Sequence, residues 1–321
     1  MWCEQHSEEG WATEGSAPMP NRLLLHVAEN KQLEAIATRN RFTRPIVDRY
    51  VAGNGLEDAW AATAELNKAG IDVSLDLLGE SVHHLAQSKA ATQEYQGAIE
   101  NIQNRAPGST VSVKLSQLGI MIDPQECANN LKALLDAAAT HGATVEVDME
   151  HSSVGRETLA IYKSILPDHP NTRVAIQANM RQTPEDLASF TDIKPRIRLV
   201  KGAFDESSAA ALRNADEVTE QYKFLSRWAL QHLPDPAFGT HDDSCVDVVK
   251  KAAAELGVDK RSFEFQMLYG VRRKLQDQLV REGYRVRVYL PYGTQWYPYL
   301  MRRMAEKPAN LLLFLRSLIG S

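Results

Sequence analysis

From residue 71 onward the chain alternates between two periodicities. Short runs rich in β-branched and apolar residues are each followed by a longer stretch with apolar positions at helical spacing. The runs are IDVSLDLL (71–78), TVSVKLS (110–116), TVEVDME (144–150), TRVAIQA (172–178), RIRLVKG (196–202), AFGTHD (237–242), SFEFQM (262–267) and RVRVYLP (285–291). Eight strands alternating with helices predict an α/β fold, a closed parallel (βα)8 barrel of the TIM type, over residues 71–321. An open doubly wound sheet would need a switch point with a Gly-rich phosphate loop. Neither G-x-G-x-x-G nor a P-loop occurs, and Gly53-Asn54-Gly55 runs on to Asp58 without following a strand. Residues 21–70 show helical spacing only, as in Leu33, Ile36, Ala37 and Ala59, Ala62, Leu66, and form an N-terminal helical segment broken at Pro45 and at the Gly-Asn-Gly turn.

Composition narrows the function classes. Residues 1–20 carry acids, Gly and Pro without an apolar core, so they read as disordered and not as a signal peptide. No apolar run reaches the roughly 18–20 residues that span a bilayer; the longest is Leu311–Leu315. The net charge is -5, from 36 basic and 41 acidic side chains, which argues against nucleic acid as a partner. Cys3, Cys127 and Cys245 form no CxxC pair, so neither a disulfide framework nor a zinc site is expected. Together these features point to the cytoplasm.

Barrel enzymes carry their chemistry at the C-terminal ends of the strands. Here those ends are polar on seven consecutive strands: Lys114, then Asp148 with Glu150, Gln177, Arg198 with Lys201, His241 with Asp242, Gln266, and Tyr289. Any one of them reads as a solvated strand edge; the set reads as one polar mouth. After the last strand, Pro298 fits the first turn of a helix that carries the adjacent arginines Arg302 and Arg303. Such a pair is either a solvated helix face or a clamp for a carboxylate, whose two oxygens match the guanidinium fork. Tyr289 and Tyr299 offer apolar walls with polar tips. His83 and His84 are adjacent and read as a helix surface.

The segments VKLSQLG (113–119), DMEHS (148–152), RLVKGAF (198–204), GTHD (239–242), FEFQMLYGVR (263–272) and YLPYGTQWYPYLMRRMAEKPAN (289–310) resemble the proline dehydrogenase family, in family order, from about Leu23 to Leu318. The resemblance is to the short monofunctional bacterial type. It implies a barrel binding FAD without a covalent bond at its mouth. The implied activity is oxidation of L-proline to Δ1-pyrroline-5-carboxylate, the first step of proline catabolism to glutamate. It also implies a membrane quinone as electron acceptor, hence peripheral contact with the inner face of the membrane, and a separate pyrroline-5-carboxylate dehydrogenase downstream. Carried over residue by residue, Arg302, Arg303 and Lys114 would hold the proline carboxylate, and Tyr289, Tyr299 and Leu199 would pack on the pyrrolidine ring. Arg198 would sit beside flavin N5. Asp148, Gln177, Val200, Gly202, Thr240, His241, Gln266 and Glu306 would lie along the cofactor. Arg198, Lys114 and Asp148 form the implied catalytic set. The family commonly has Tyr where this chain has Phe204, so the ring remains against substrate but the hydroxyl is gone.

Two other chemistries fit parts of the same mouth. A Schiff-base aldolase would use Lys114 or Lys201 as a desolvated nucleophile. A metal-dependent hydrolase would draw on Asp148, His151 and His241, although no two histidines share ligand spacing on one strand. A barrel that binds without catalysing is the third alternative.

Overall fold

The computed structural model describes residues 43–79, 81–202, 204 and 206–305, without the side chains of Arg302, Met304 and Ala305. The expected disordered stretch 1–20, Glu306 and the Leu311–Leu315 run lie outside the described residues. Two helices come first, α1 (Arg44–Tyr50) and α2 (Leu56–Lys68). They occupy the described part of the expected helical segment. Asp58 caps the turn between them, accepting from the Asn54 and Gly55 amides.

The barrel follows as β1 (Asp72–Leu77), α3 (Leu85–Arg105), β2 (Thr110–Val113), α4 (Leu115–Leu118), α5 (Pro124–His141), β3 (Thr144–Val147), α6 (Ser152–Ile165), β4 (Arg173–Gln177), α7 (Thr183–Ala188), β5 (Arg196–Val200), α8 (Ala215–His232), β6 (Ala237–Gly239), α9 (Asp243–Leu256), β7 (Glu264–Leu268), α10 (Arg273–Arg281), β8 (Arg285–Tyr292) and α11 (Trp296–Ala305). Each strand pairs with the next, and β8 pairs with β1 in parallel from Asp72↔Arg287 to Leu77↔Tyr292, closing an eight-stranded barrel. The predicted architecture is the observed one.

Helix starts follow from local chemistry. Asp123 precedes Pro124 and caps α5, accepting from the Gln125 and Glu126 amides. Asn214 does the same for α8. Asp242 caps α9 through the Ser244 amide. At the other end of α5, Gly142 takes a left-handed φ of 65°, which a side chain would strain.

Alternation within the strands sorts residues onto two faces. Val73, Leu75, Val111, Val145, Val147, Val174, Ile176, Ile197, Leu199, Phe238, Phe265 and Val288 belong to the main apolar cluster with the helices. Their neighbours Glu146, Arg173, Arg198, Glu264, Gln266 and Arg287 reach one another across the barrel, while Ser112 bonds Asp148 and Asp76 meets Lys114. The interior is therefore a buried ionic lattice, where barrels more commonly stack branched aliphatic side chains.

Three expectations are corrected here. The strands stop sooner than predicted: Lys114, Asp148, Glu150, Lys201, Gly202, His241 and Asp242 follow β2, β3, β5 and β6 instead of ending them. Their polar groups bond across the loops and cap helices, which takes them out of the ladder. Leu199 cannot share the mouth with Arg198, because adjacent strand residues point to opposite faces; it is 1% exposed within the outer apolar cluster. His83 and His84 are exposed but precede α3, with His84 at its N-cap, where Gln87 accepts both amides. Among the described residues no helix is long and apolar enough to cross a membrane.

Candidate active site

The mouth is organised around Lys114 and Asp148, which directly follow β2 and β3, and Arg198 within β5. Asp148 receives a hydrogen bond from Ser112 Oγ at 2.6 Å, one from the Tyr289 hydroxyl at 2.6 Å, and an ion pair from Arg198 Nη2. Burial would raise its carboxyl, but Arg198 first and Lys114 next outweigh this and hold it down at about 2. Lys114 Nζ contacts Asp76, lies 3.4 Å from Asp148 Oδ2 and donates to the Tyr289 hydroxyl at 3.2 Å. Tyr289 thus bridges the lysine and the aspartate, and the Arg198 guanidinium stands 5.5 Å from its ring centre.

Arg198 is buried and doubly compensated. Its Nη1 donates to Glu146 Oε2 at 2.9 Å and to Gln266 Oε1 at 3.3 Å, while Nη2 holds Asp148. The structure gives this cation two carboxylate partners, Glu146 and Asp148. Its Nε–H has no partner among the described residues.

Two acceptors nearby in the fold are also left over. Gln177, at the end of β4, donates through Nε2 to the Glu150 carbonyl at 2.8 Å, but its Oε1 is buried without a donor among the described residues. Asn179 Oδ1 is buried and has no partner among the described residues either. It stands against Gly202, whose φ is +107° and where an added Cβ would fall 2.1 Å from that oxygen. Only glycine fits there. Because buried polar groups ordinarily find partners, a donor and two acceptors left open at one barrel end mark a place for a polar ligand.

The remaining predicted residues divide. Thr240 Oγ1 accepts from the Asp242 amide at 3.2 Å, and His241 Nε2 accepts from the Leu268 amide at 2.8 Å, so both sit in the β6 loop. Val200 closes β5, and its carbonyl accepts from the Ala178 amide at 2.7 Å. Phe204 packs on His151, ring centres 4.3 Å apart. On α11, the Arg303 guanidinium lies 5.7 Å from the Tyr299 ring centre. That helix packs with α1 and Leu78 in a second apolar cluster, just after β8 and beside β1. The Arg302 side chain and Glu306 lie outside the described residues.

This geometry disposes of the other chemistries. A Schiff-base lysine needs a depressed pKa. Burial would depress Lys114, but Asp76 and Asp148 overcome it and hold the ammonium above its ordinary value. Lys201 is tied to Asp242 Oδ2 at 2.6 Å and to Thr219. Of the three candidate metal ligands, Asp148 serves Arg198, His151 faces Glu206 and Phe204, and His241 accepts from a backbone amide.

Sequence reasoning about strand ends missed Asp76, Ser112, Glu146 and Asn179. The first three carried a signal. Polar residues recur every second position in DVSLD, TVSVK and TVEVD, which places them on the inner face with Lys114 and Asp148. Asn179 lies in a loop and had none.

Residues 59–313 match the family described as proline dehydrogenase. Proline dehydrogenase 1 of Bacillus subtilis (strain 168) is 35% identical over 301 residues, covering 94% of this chain and 99% of that protein. Proline dehydrogenase of Deinococcus radiodurans is 34% identical over 306 residues, covering 93% and 97%. A crystal structure of proline utilization A from Bdellovibrio bacteriovorus, inactivated by N-propargylglycine, aligns with a TM-score of 0.77 at 23% identity. The alignment covers 82% of this chain and 32% of that one, and speaks for the fold.

Proposed function

The chain belongs to the proline dehydrogenase family, oxidoreductases acting on CH–NH donors, and we propose that it oxidises L-proline to Δ1-pyrroline-5-carboxylate with FAD held at the barrel mouth. The observation that carries the cofactor reading is the trio of open polar groups, Arg198 Nε–H, Gln177 Oε1 and Asn179 Oδ1. A flavin ring edge offers both acceptors and an N–H donor, so the group fits that mixed set. When bound, FAD supplies the two-electron acceptor at N5.

The protein's own part is orientation and electrostatics. Arg198, Gln177, Gly202 and Gln266, with Asp148, Val200, Thr240, His241 and Glu306, would hold the cofactor. Arg302, Arg303 and Lys114 would fix the proline carboxylate, and fixing one end of a small ring substrate sets the position of its C5. Tyr289, Tyr299 and Phe204 would wall the ring. Leu199 has no place in this set. Asp148 stays anionic, fixing the Tyr289 hydroxyl through Oδ2, and a buried anion beside the substrate favours a positive charge developing on proline nitrogen. A membrane quinone would take the electrons onward. A separate pyrroline-5-carboxylate dehydrogenase would consume the product.

The test is anaerobic addition of proline to protein purified with FAD. A flavin absorbance that bleaches with proline is the expected result. Protein that stays colourless and takes up no FAD sinks the proposal.

A further inference from the structure

Two residues expected along the flavin, Arg198 and Gln266, meet at one buried carboxylate that no strand-end motif contains. Glu146 is fully buried on β3, two positions before Asp148. Its Oε2 accepts from Arg198 Nη1 at 2.9 Å, and both its oxygens lie 3.2 Å from Gln266 Nε2. Its Oε1 is anchored from below by Arg173 Nη1 at 2.8 Å. With Asp148 it takes up both Nη groups of Arg198 and leaves Nε as the open donor.

We infer that Glu146 is a positioning residue for the redox site: it fixes which face of the Arg198 guanidinium meets the cofactor, and its charge offsets that cation beneath the ring. This deepens the flavin reading and rests on it. A flavin gains negative charge on reduction, so a full positive charge below it would favour the reduced form. A permanent anion paired to that cation holds the potential down. Burial works against ionisation of Glu146, but Arg173, Arg198 and Arg287 together hold its carboxyl below the ordinary range and favour the anion.

The experiment measures the midpoint potential of bound FAD in the parent, in Glu146→Gln and in Glu264→Gln. Glu264 is as buried and shares Arg173 and Gln266, but does not contact Arg198 among the described interactions. Glu146→Gln should raise the potential, with reduced FAD favoured over oxidised by roughly tenfold more than in the parent, which is about 30 mV for a two-electron couple. Glu264→Gln should lose as much thermal stability with a smaller potential shift. A folded, flavin-loaded Glu146→Gln at the parental potential overturns the inference, as does an equal shift in both variants. A parent that binds no flavin overturns the functional reading instead. If Glu146→Gln does not fold, Glu146→Asp decides. It keeps the charge but not the reach, so its potential should stay parental while the rate of flavin reduction by proline falls at least tenfold. A parental rate in Glu146→Asp overturns the positioning role.

Discussion

The base and the mouth of the barrel use the same side-chain types to opposite ends. At the base, Glu264 accepts from Arg173, Arg285, Arg287 and Gln266. Asp235, held at a left-handed φ of 48°, gathers Arg173, Arg196 and Arg285. Glu264 and Asp235 are each shared by several guanidiniums, while Arg173 Nε and the Ser109 and Thr110 hydroxyls are without partners among the described residues. At the mouth, Asp76 has Lys114 alone as its ion-pair partner, and Arg198 Nε–H, Gln177 Oε1 and Asn179 Oδ1 have no partner among the described residues. A carboxylate such as Glu264, whose cations are all arginines of the base, is structural material. A cluster with open donors and acceptors is arranged for something that arrives later. Residue type alone does not separate the two; the partner inventory does.

The contrast breaks most visibly on stability. Glu264→Ala should take a shared carboxylate from Arg173, Arg285 and Arg287 and cost about 3–5 kcal/mol, as losing one partner of a buried ion pair does. Gln177→Ala at the mouth should cost less than about 1.5 kcal/mol, since it gives up a single hydrogen bond. Urea unfolding midpoints compare them. Equal losses would mean that mouth and base are one structural unit.

A smaller effect tests the mouth's substrate side. Arg303→Met should raise the apparent KM for proline by roughly tenfold to a hundredfold, the worth of a charge-assisted hydrogen bond of about 1.5–3 kcal/mol. Flavin content should be unchanged. Oxidation of pyrrolidine, which lacks the carboxylate, should suffer little further loss. Should both substrates suffer alike, Arg303 serves the fold and not the carboxylate.

The smallest effect is acid sensitivity at Asp148. Its folded pKa of about 2 lies below the ordinary 3.8, so the stability it contributes is complete above 3.8 and lost as pH falls toward 2. Asp76 pulls the other way, because burial outweighs Lys114 and raises its carboxyl. Denaturation at pH 5 and pH 3 should show a stability loss on the acid side that shrinks in Asp148→Asn. An unchanged loss would show that Asp148 is not held as an anion.

The barrel was legible because a (βα)8 chain repeats its periodicity switch eight times, so no one strand had to be read correctly alone. Five of the mouth residues, Lys114, Asp148, Arg198, Gln266 and Tyr289, were legible as polar groups at strand ends, and the structure brings them into one connected cluster. Leu199 was misplaced because a motif was carried over without its alternation: RLV sets Arg198 and Val200 on one face and Leu199 on the other. Glu146 and Asp76 were passed over because charges within a strand look like solvated edges until the whole sheet is known to close. Closure turns an inner face into an interior.

That closure has a temporal side. The six register pairs between β1 and β8 join residues 72–77 to residues 287–292. On a ribosome adding about 5–20 residues per second, the first strand waits about 10–40 s before its partner exists. Throughout that interval one edge of β1 stays unpaired, with its amides and carbonyls open to other nascent chains. The first strand's DVSLDL alternates charge and hydroxyl with aliphatic side chains. Asp76 meets its ammonium early, when Lys114 follows β2, but Asp72 has no guanidinium across from it until Arg287 arrives with β8, and its charge makes that waiting edge repel copies of itself. The acid that finishes as the partner of Arg287 would thus begin as a guard against aggregation during synthesis.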